Sequence, residues 1–424
     1  EYNAASLLSA VTDAGGFRET YAYDGEGRLC RKRDRNGAET LYTYNMYGNP
    51  LERRAKAPGA EASELSERYE YTAEGLLRSA IARSGTGDIT RGMRYSYAYD
   101  SMGRLAEKSA SGRTLLSLAY DLNGNLTRQT DVAGKVTEYR YNLVDRVGGV
   151  WDNGKQVAGY EYNPDGTVRS LSCGGLYTEY GYDADRNLTS LRTTLGSEVL
   201  ADNHYRHDGN GRRVEKRQPQ GLTAYAYDSM NRLSVVEYPG GKEELFYDRA
   251  GNRTRRVHNG EEELYQYDSR NRLTEHTRGG VTRKYQYDNA GNLLEDGRAG
   301  YGYDAFNRCT KVETFDGNVQ VNRYDAEGLR HEMEENGELV SFIFRGREIV
   351  AEESEKGKIR YIRTGELLSS DAEYARTYYH YASDEMGSIT HVVAGLGKEA
   401  ALAGQGNKPV ESGEVPEGSI LNRY

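Results

Sequence analysis

A nine-residue pattern, Tyr-x-Tyr-Asp-x-x-Gly-(Arg/Asn)-Leu, recurs along this 424-residue chain, mostly at intervals of 20 or 21 residues. It stands as Tyr21-Ala-Tyr23-Asp24-Gly-Glu-Gly27-Arg28-Leu29, again as Tyr97-Ala-Tyr99-Asp100-Ser-Met-Gly103-Arg104-Leu105, and again as Tyr285-Gln-Tyr287-Asp288-Asn-Ala-Gly291-Asn292-Leu293. The aspartate column falls at positions 24, 45, 72, 100, 121, 142, 163, 183, 208, 228, 248, 268, 288, 304 and 325, which makes fifteen copies. A fixed period of this length means that one small supersecondary unit is repeated, and each unit buries its apolar face only against its neighbours.

Each column has a physical reason. Fourteen of the fifteen copies carry Tyr just before the aspartate column, and twelve carry Tyr two residues earlier. Spacing of two puts both rings on one face of a strand, and Tyr favours strands. The aspartate column holds eleven Asp, three Asn (Asn45, Asn142, Asn163) and Thr72. Such side chains accept a hydrogen bond from the backbone two residues on. Three positions later stand ten Gly and three Asn, with Asp145 and Arg186 as departures. Gly or Asn there supplies the positive φ that ends a type I turn with a bulge. The signature is carried by Tyr23, Asp24 and Gly27; Tyr99, Asp100 and Gly103; Tyr120, Asp121 and Gly124; Tyr227 and Asp228; Tyr267 and Asp268; Tyr287, Asp288 and Gly291; Tyr303 and Asp304. These aspartates are read as turn residues, not as catalysts.

A second turn signal lies between motifs: Gly15-Gly16, Asn36-Gly37, Asn153-Gly154, Gly240-Gly241, Asn259-Gly260, Gly279-Gly280 and Asn336-Gly337. Asn-Gly is a strong hairpin signal. One repeat is therefore two short strands and two tight turns, and the chain is one long antiparallel ribbon. Composition limits what the ribbon can enclose. There are 37 Tyr and 50 Gly but only 6 Phe, 6 Met and 1 Trp. Aliphatic residues are too few for one thick core, and the aromatic load is too high for disorder. The expectation is a thin sheet with one solvated face and one Tyr face, coiled into a hollow wall without an independent hydrophobic core.

The repeat resembles the YD repeat of the Rhs proteins, which occurs also in wall-associated bacterial proteins, in the C component of insecticidal toxin complexes and in teneurins. The resemblance covers residues 1–330. Residues 331–393 are similar to the degenerate repeats that lead to the Rhs-associated core, through His380, Tyr381, Gly387 and Ser388. Residues 394–424 read as a Gly/Glu-rich loop and the start of another repeat. The resemblance implies an all-β fold in which tandem hairpins form a long antiparallel sheet that spirals into a partial hollow β-cocoon. It implies a structural shell for the protein's own C-terminal toxin, exported or held at a bacterial cell surface, with a secretion apparatus or a surface glycan as further partners. The family's self-cleaving core has an Asp-Pro-x-x-Gly type of signature, and none stands here. The chain begins and ends inside a repeat and is expected to be a fragment. The alternative reading is a carbohydrate-binding or adhesion module.

Other chemistries have little in the sequence to carry them. No Lys/Arg block suggests a nucleic-acid groove, and no apolar run is long enough to span a membrane. Cys30, Cys173 and Cys309 are far apart, odd in number and outside any CxxC. They are expected as semi-buried fillers. His380 and His391 are the nearest approach to a metal pair, if a hairpin brings them face to face, but polar decoration is the simpler expectation. No catalytic residue, cofactor or metal is expected.

Overall fold

The computed structural model describes residues 1–61, 63, 65–84, 93–375, 377–397 and 420–423. Among them there is no helix, and so none long and apolar enough to cross a membrane. The described residues hold thirty-nine strands, in a 26-stranded sheet ending at Val281–Lys284 and a 13-stranded sheet beginning at Gln286–Tyr287. The described pairings are antiparallel and join strands consecutive in sequence, as Arg18–Tyr23 with Leu29–Arg33 and Leu126–Asp131 with Val136–Tyr141. The fold is all-β, and neither sheet closes on itself.

The repeat motif builds the same hairpin each time. In the first copy the Asp24 amide donates to the Arg28 carbonyl at 2.9 Å, and the Gly27 amide to the Asp24 carbonyl at 3.1 Å. Pairing slips between Ala22 and Tyr23, so that Tyr23 faces Leu29. This is a type I turn closed by a bulge whose last residue needs a positive φ. Gly27 has it, at 79°, and so do Asp145 at 59° and Arg186 at 64°, the two departures from the Gly/Asn column. The partial copy at the start of the chain folds alike, with Asn3 accepting from the amides of Ala5 and Leu7 and Ser6 at φ 59°.

Gly291 gives a direct test of this turn. Its φ is 99°, and an added Cβ comes no nearer than 3.6 Å to Arg270, so a larger residue there meets only backbone strain. Gly291→Val is expected to cost about 1–3 kcal/mol. Limited proteolysis should show faster cutting at 288–292. An unchanged rate would mean that the turn tolerates a β-branched residue.

Three of the expected second turns close differently. At Asn36-Gly37 and Gly15-Gly16 the loop is of the motif type, led by Asp34 and Asp13, whose carboxylates accept from the amides two and four residues on. The turn expected at Gly240-Gly241 is instead Pro239-Gly240, since Tyr238 pairs with Gly241. Proline fixes the first corner and Gly240, at φ 87°, takes the second. Asn153-Gly154, Asn259-Gly260 and Asn336-Gly337 have positive φ at both corners, the type I′ hairpin.

The strands collect into two compact units. One comprises Glu1–Leu115 with Phe246–Ser341, the other Leu116–Leu245 with Phe342–Tyr424. Within each, an early stretch of ribbon packs against a late one. Leu65–Tyr71 shows the alternation: Leu65 and Glu67 are buried in phase with Tyr69 and Tyr71, while Arg68 and Glu70 are exposed. The expected absence of a hydrophobic core does not hold in the second unit. There Tyr139, Val150, Val157, Leu171, Ile362 and Leu368 form a buried cluster with Ala158, Cys173 and Tyr378. Few aliphatics suffice because the layers are thin and each contributes only one face. Strand Ile389–Gly397 carries the ribbon past position 393, into the segment expected as a loop. Residues 398–419 lie outside the described residues, and Ile420–Arg423 is a strand paired with His391–Val393.

Candidate functional site

The motif side chains connect successive repeats. Asp24 accepts from the amides of Glu26 and Arg28 on one oxygen and from Arg28 Nε, at 2.7 Å, on the other. The same fork recurs at Asp100, Asp228, Asp268 and Asp304. In Asp100 the Arg104 amide and guanidinium outweigh desolvation and hold the carboxyl below the usual range. The fork aims the arginine at the following repeat, where Arg28 lies over the Tyr44 ring, Arg272 over Tyr287 and Arg308 over Tyr324. The tyrosine in turn donates its hydroxyl back to the leucine-column carbonyl of the preceding repeat. Tyr23 reaches Leu8, Tyr99 reaches Leu77, Tyr227 reaches Arg213 and Tyr267 reaches Arg253, at 2.8–3.0 Å. The body of the ring packs while its tip meets a polar partner. Tyr303 pairs with Cys309 of the neighbouring strand, and Tyr120 with Leu126.

This linkage explains four of the non-glycine residues at positive φ. Asp145 accepts from Asn125, Asn231 from Arg212, Asn271 from Asn252 and Asn307 from Asn292, each donor one repeat back, at 2.6–2.9 Å. A side-chain bond that glycine cannot make offsets the backbone cost. Tyr267→Phe, which removes one hydroxyl and leaves the ring, is expected to cost about 0.5–1.5 kcal/mol. Urea unfolding should show a lower midpoint at unchanged slope; no shift would mean that water replaces the hydroxyl freely.

Buried ionic latches join early and late stretches within each unit. In the first unit Arg308 and Arg53 both hold Glu67, at 2.9 Å each, and Glu67 is 2 % exposed. Arg270 holds Asp13 at 2.8 Å. Lys108 holds Glu327 at 2.6 Å beside Asp325, whose carboxyl is raised by burial. In the second unit Arg360 is ringed by Asp131, Asp152 and Asp371. Asp152 is fully buried and also takes the hydroxyls of Tyr378 and Thr137. Burial alone would discourage the guanidinium charge, yet Asp152 and Asp131 hold its pKa above the ordinary arginine range. Glu385 is gripped by Arg213, Lys216 and the Tyr205 hydroxyl. Burial pushes Glu385 up, but the Tyr205 hydroxyl, its own backbone amide and Lys216 win and leave it lowered.

The core-like residues lie at this second latch. Asp384 takes the aspartate column, accepting from the Met386 and Ser388 amides, and Gly387 has φ 79°. Tyr381 bonds Ser370 at 2.7 Å. His380 does not face His391: it pairs with Val393, and His391 with Ala382. The one-residue bulge between Ala382 and Ser383 sets that register. His380 instead meets Ser369 at 2.7 Å and Cys173 at 3.6 Å, beside a cavity of about 400 Å³ lined also by Lys155, Val157, Leu176 and Tyr378. Burial raises Cys173 to about 11 and, with the Lys155 charge, lowers His380 to about 4. A neutral thiol beside a neutral imidazole is the reverse of the ion pair a cysteine nucleophile uses. Cys173 is fully buried, more than the semi-burial expected of it; Cys30 and Cys309 are half-buried.

Comparison with known proteins adds the relations. The RHS Repeat family model matches residues 2–39, 207–243 and 267–295, and the Teneurin YD-shell model matches residues 61–223. "Probable deoxyribonuclease RhsA" of Dickeya dadantii is 27% identical over 207 residues, 43% of this chain and 14% of that protein. "Double-stranded DNA deaminase toxin A" of Burkholderia cenocepacia is 26% identical over 246 residues, 56% of this chain and 15% of that protein. The crystal structure of TcdB2-TccC3-TEV superposes with a TM-score of 0.67 at 15% identity, over 92% of this chain and 24% of that one. The shared fold is a long-ribbon β architecture, and this chain spans only a minor part of each relative.

Proposed function

Because the chain is built of YD repeats of the Rhs and teneurin-shell kind, we propose that it forms a stretch of wall in a toxin-carrying shell. It acts as a scaffold and not as a catalyst. The observation that carries this reading is the ribbon itself: hairpin is tied to hairpin by the Asp–Arg–Tyr linkage, and early and late stretches are locked by buried charges. Such a structure makes a rigid surface and spends its charged residues on holding itself together. One relative is named a toxin and matches over only 15% of its length, which leaves most of that protein for other parts. The cargo is a C-terminal toxin domain of the same protein, and the shell is exported or displayed at the cell surface.

The test compares native and denaturing separation of the full-length protein, with protease challenge before denaturation. A C-terminal piece that resists protease natively and separates only on denaturation supports the shell. A C-terminal region digested as fast as a free domain overturns it. The match to the Teneurin YD-shell model favours a second reading, cell-surface adhesion, and glycan or partner capture by the intact protein without protected cargo would establish it.

A further inference from the structure

One latch differs chemically from the rest. Lys108 lies at an inward position of strand Leu105–Ala110, its side chain 4% exposed. Its Nζ is 2.6 Å from Glu327 Oε2 and 4.2 Å from the centre of the Tyr95 ring. The other Glu327 oxygen takes the Tyr97 hydroxyl. Glu327 is the third residue of the turn led by Asp325, whose Oδ1 accepts from the Glu327 amide and whose Oδ2 takes the Tyr95 hydroxyl at 3.1 Å. Ala80, Ala82 and Ala326 pack with Tyr97 alongside. A buried amine and a second, fully buried carboxyl thus meet the acyl carbon of Glu327, whose side chain is 25% exposed, beside two tyrosines.

The geometry points to a covalent isopeptide bond between Lys108 Nζ and Glu327 Cδ. The ammonium proton passes to the Glu327 carboxylate along their short contact, which leaves a neutral amine against a neutral acid. That exchange is favoured where the ammonium is poorly solvated, as that of Lys108 is. The amine lone pair attacks Cδ, the N–C bond forms, and the C–O bond to the protonated oxygen breaks. The oxygen leaves as water with the proton that nitrogen gives up. Asp325, raised by burial and by the Glu327 charge, is the acid that hydrogen-bonds the developing oxyanion and relays this proton. No oxidant or co-reactant is needed. Fixed approach of the two groups replaces activation of the acid.

The full-length protein is digested with trypsin under denaturing conditions and the peptides are weighed. The expected product is a branched peptide, Leu105–Arg113 joined to Tyr324–Arg330, lighter than their sum by one water and uncut after Lys108. Separate peptides, with cleavage after Lys108, would overturn the bond and leave an ordinary buried ion pair. Glu327→Gln is expected to give the same branched peptide, since ammonia leaves in place of water. Asp325→Asn is expected to yield the two peptides separately; a branched peptide at the wild-type yield would overturn the relay role of Asp325.

Discussion

Replacing Arg360 by methionine is expected to lower the stability of the second unit by about 3–5 kcal/mol at neutral pH, the usual cost of removing one partner from a buried charge network. Asp131, Asp152 and Asp371 would keep their places in the packed layer without their common cation. Methionine fills much of the arginine stem's volume, so the loss reports charge more than packing. The chain's one tryptophan, Trp151, precedes Asp152 and stacks under Arg140, so its fluorescence follows this region during urea unfolding. A deficit below about 1 kcal/mol, the range of exposed pairs, would mean that the cluster does not hold the layers together.

The second large effect belongs to His380. Its folded pKa is lowered from an ordinary 6.5 to about 4, chiefly by burial and secondarily by the Lys155 charge. The unfolded chain takes up a proton near 6.5 and the folded chain resists until about 4, so in that window the unfolded state binds more protons. The contribution of His380 is then fully present above 6.5 and declines as pH falls through the window, by about 3 kcal/mol in all. His380→Gln retains a polar contact for Ser369 but does not titrate. Stability measured from pH 7 to 4 should fall more steeply for the wild type than for the variant. Groups such as Asp100 and Glu385 titrate in both proteins and cancel in the difference. Parallel curves would show that the buried ring takes up its proton without penalty.

The parts of this architecture that are local were legible in the sequence. Asp24, Gly27 and Tyr23 act within a few residues of one another, and period-two spacing announces the strand face. The Arg/Asn column was visible as a pattern but had no reason attached, because its partner, such as Asn231 for Arg212, sits one repeat away. The latches were not legible. Glu67, Lys108 and Arg360 read as ordinary strand charges, and the groups that bury them lie some 200 residues distant, as with Asp152 for Arg360 at a separation of 208. His380 and His391, the nearest approach to a metal pair, do not face each other, because the Asp384–Gly387 turn fixes a register that pairs His380 with Val393 and His391 with Ala382. The core around Val150 and Leu368 was missed because composition averages over the chain, whereas the aliphatics concentrate in one unit.

Pairing between sequential neighbours also decides how the ribbon yields to force. Each described ladder joins a strand to the next in the chain, so a pull on one terminus loads a single hairpin at a time. The load meets a short row of backbone bonds and one tyrosine hydroxyl, then passes to the following hairpin. Such a chain unzips progressively at low tension, until it reaches a residue such as Glu385 or Arg360, where two distant stretches must part together. These latches divide the ribbon mechanically into soft runs and stops, so that resistance to a pull is set by a few distant pairs and not by the number of hairpins.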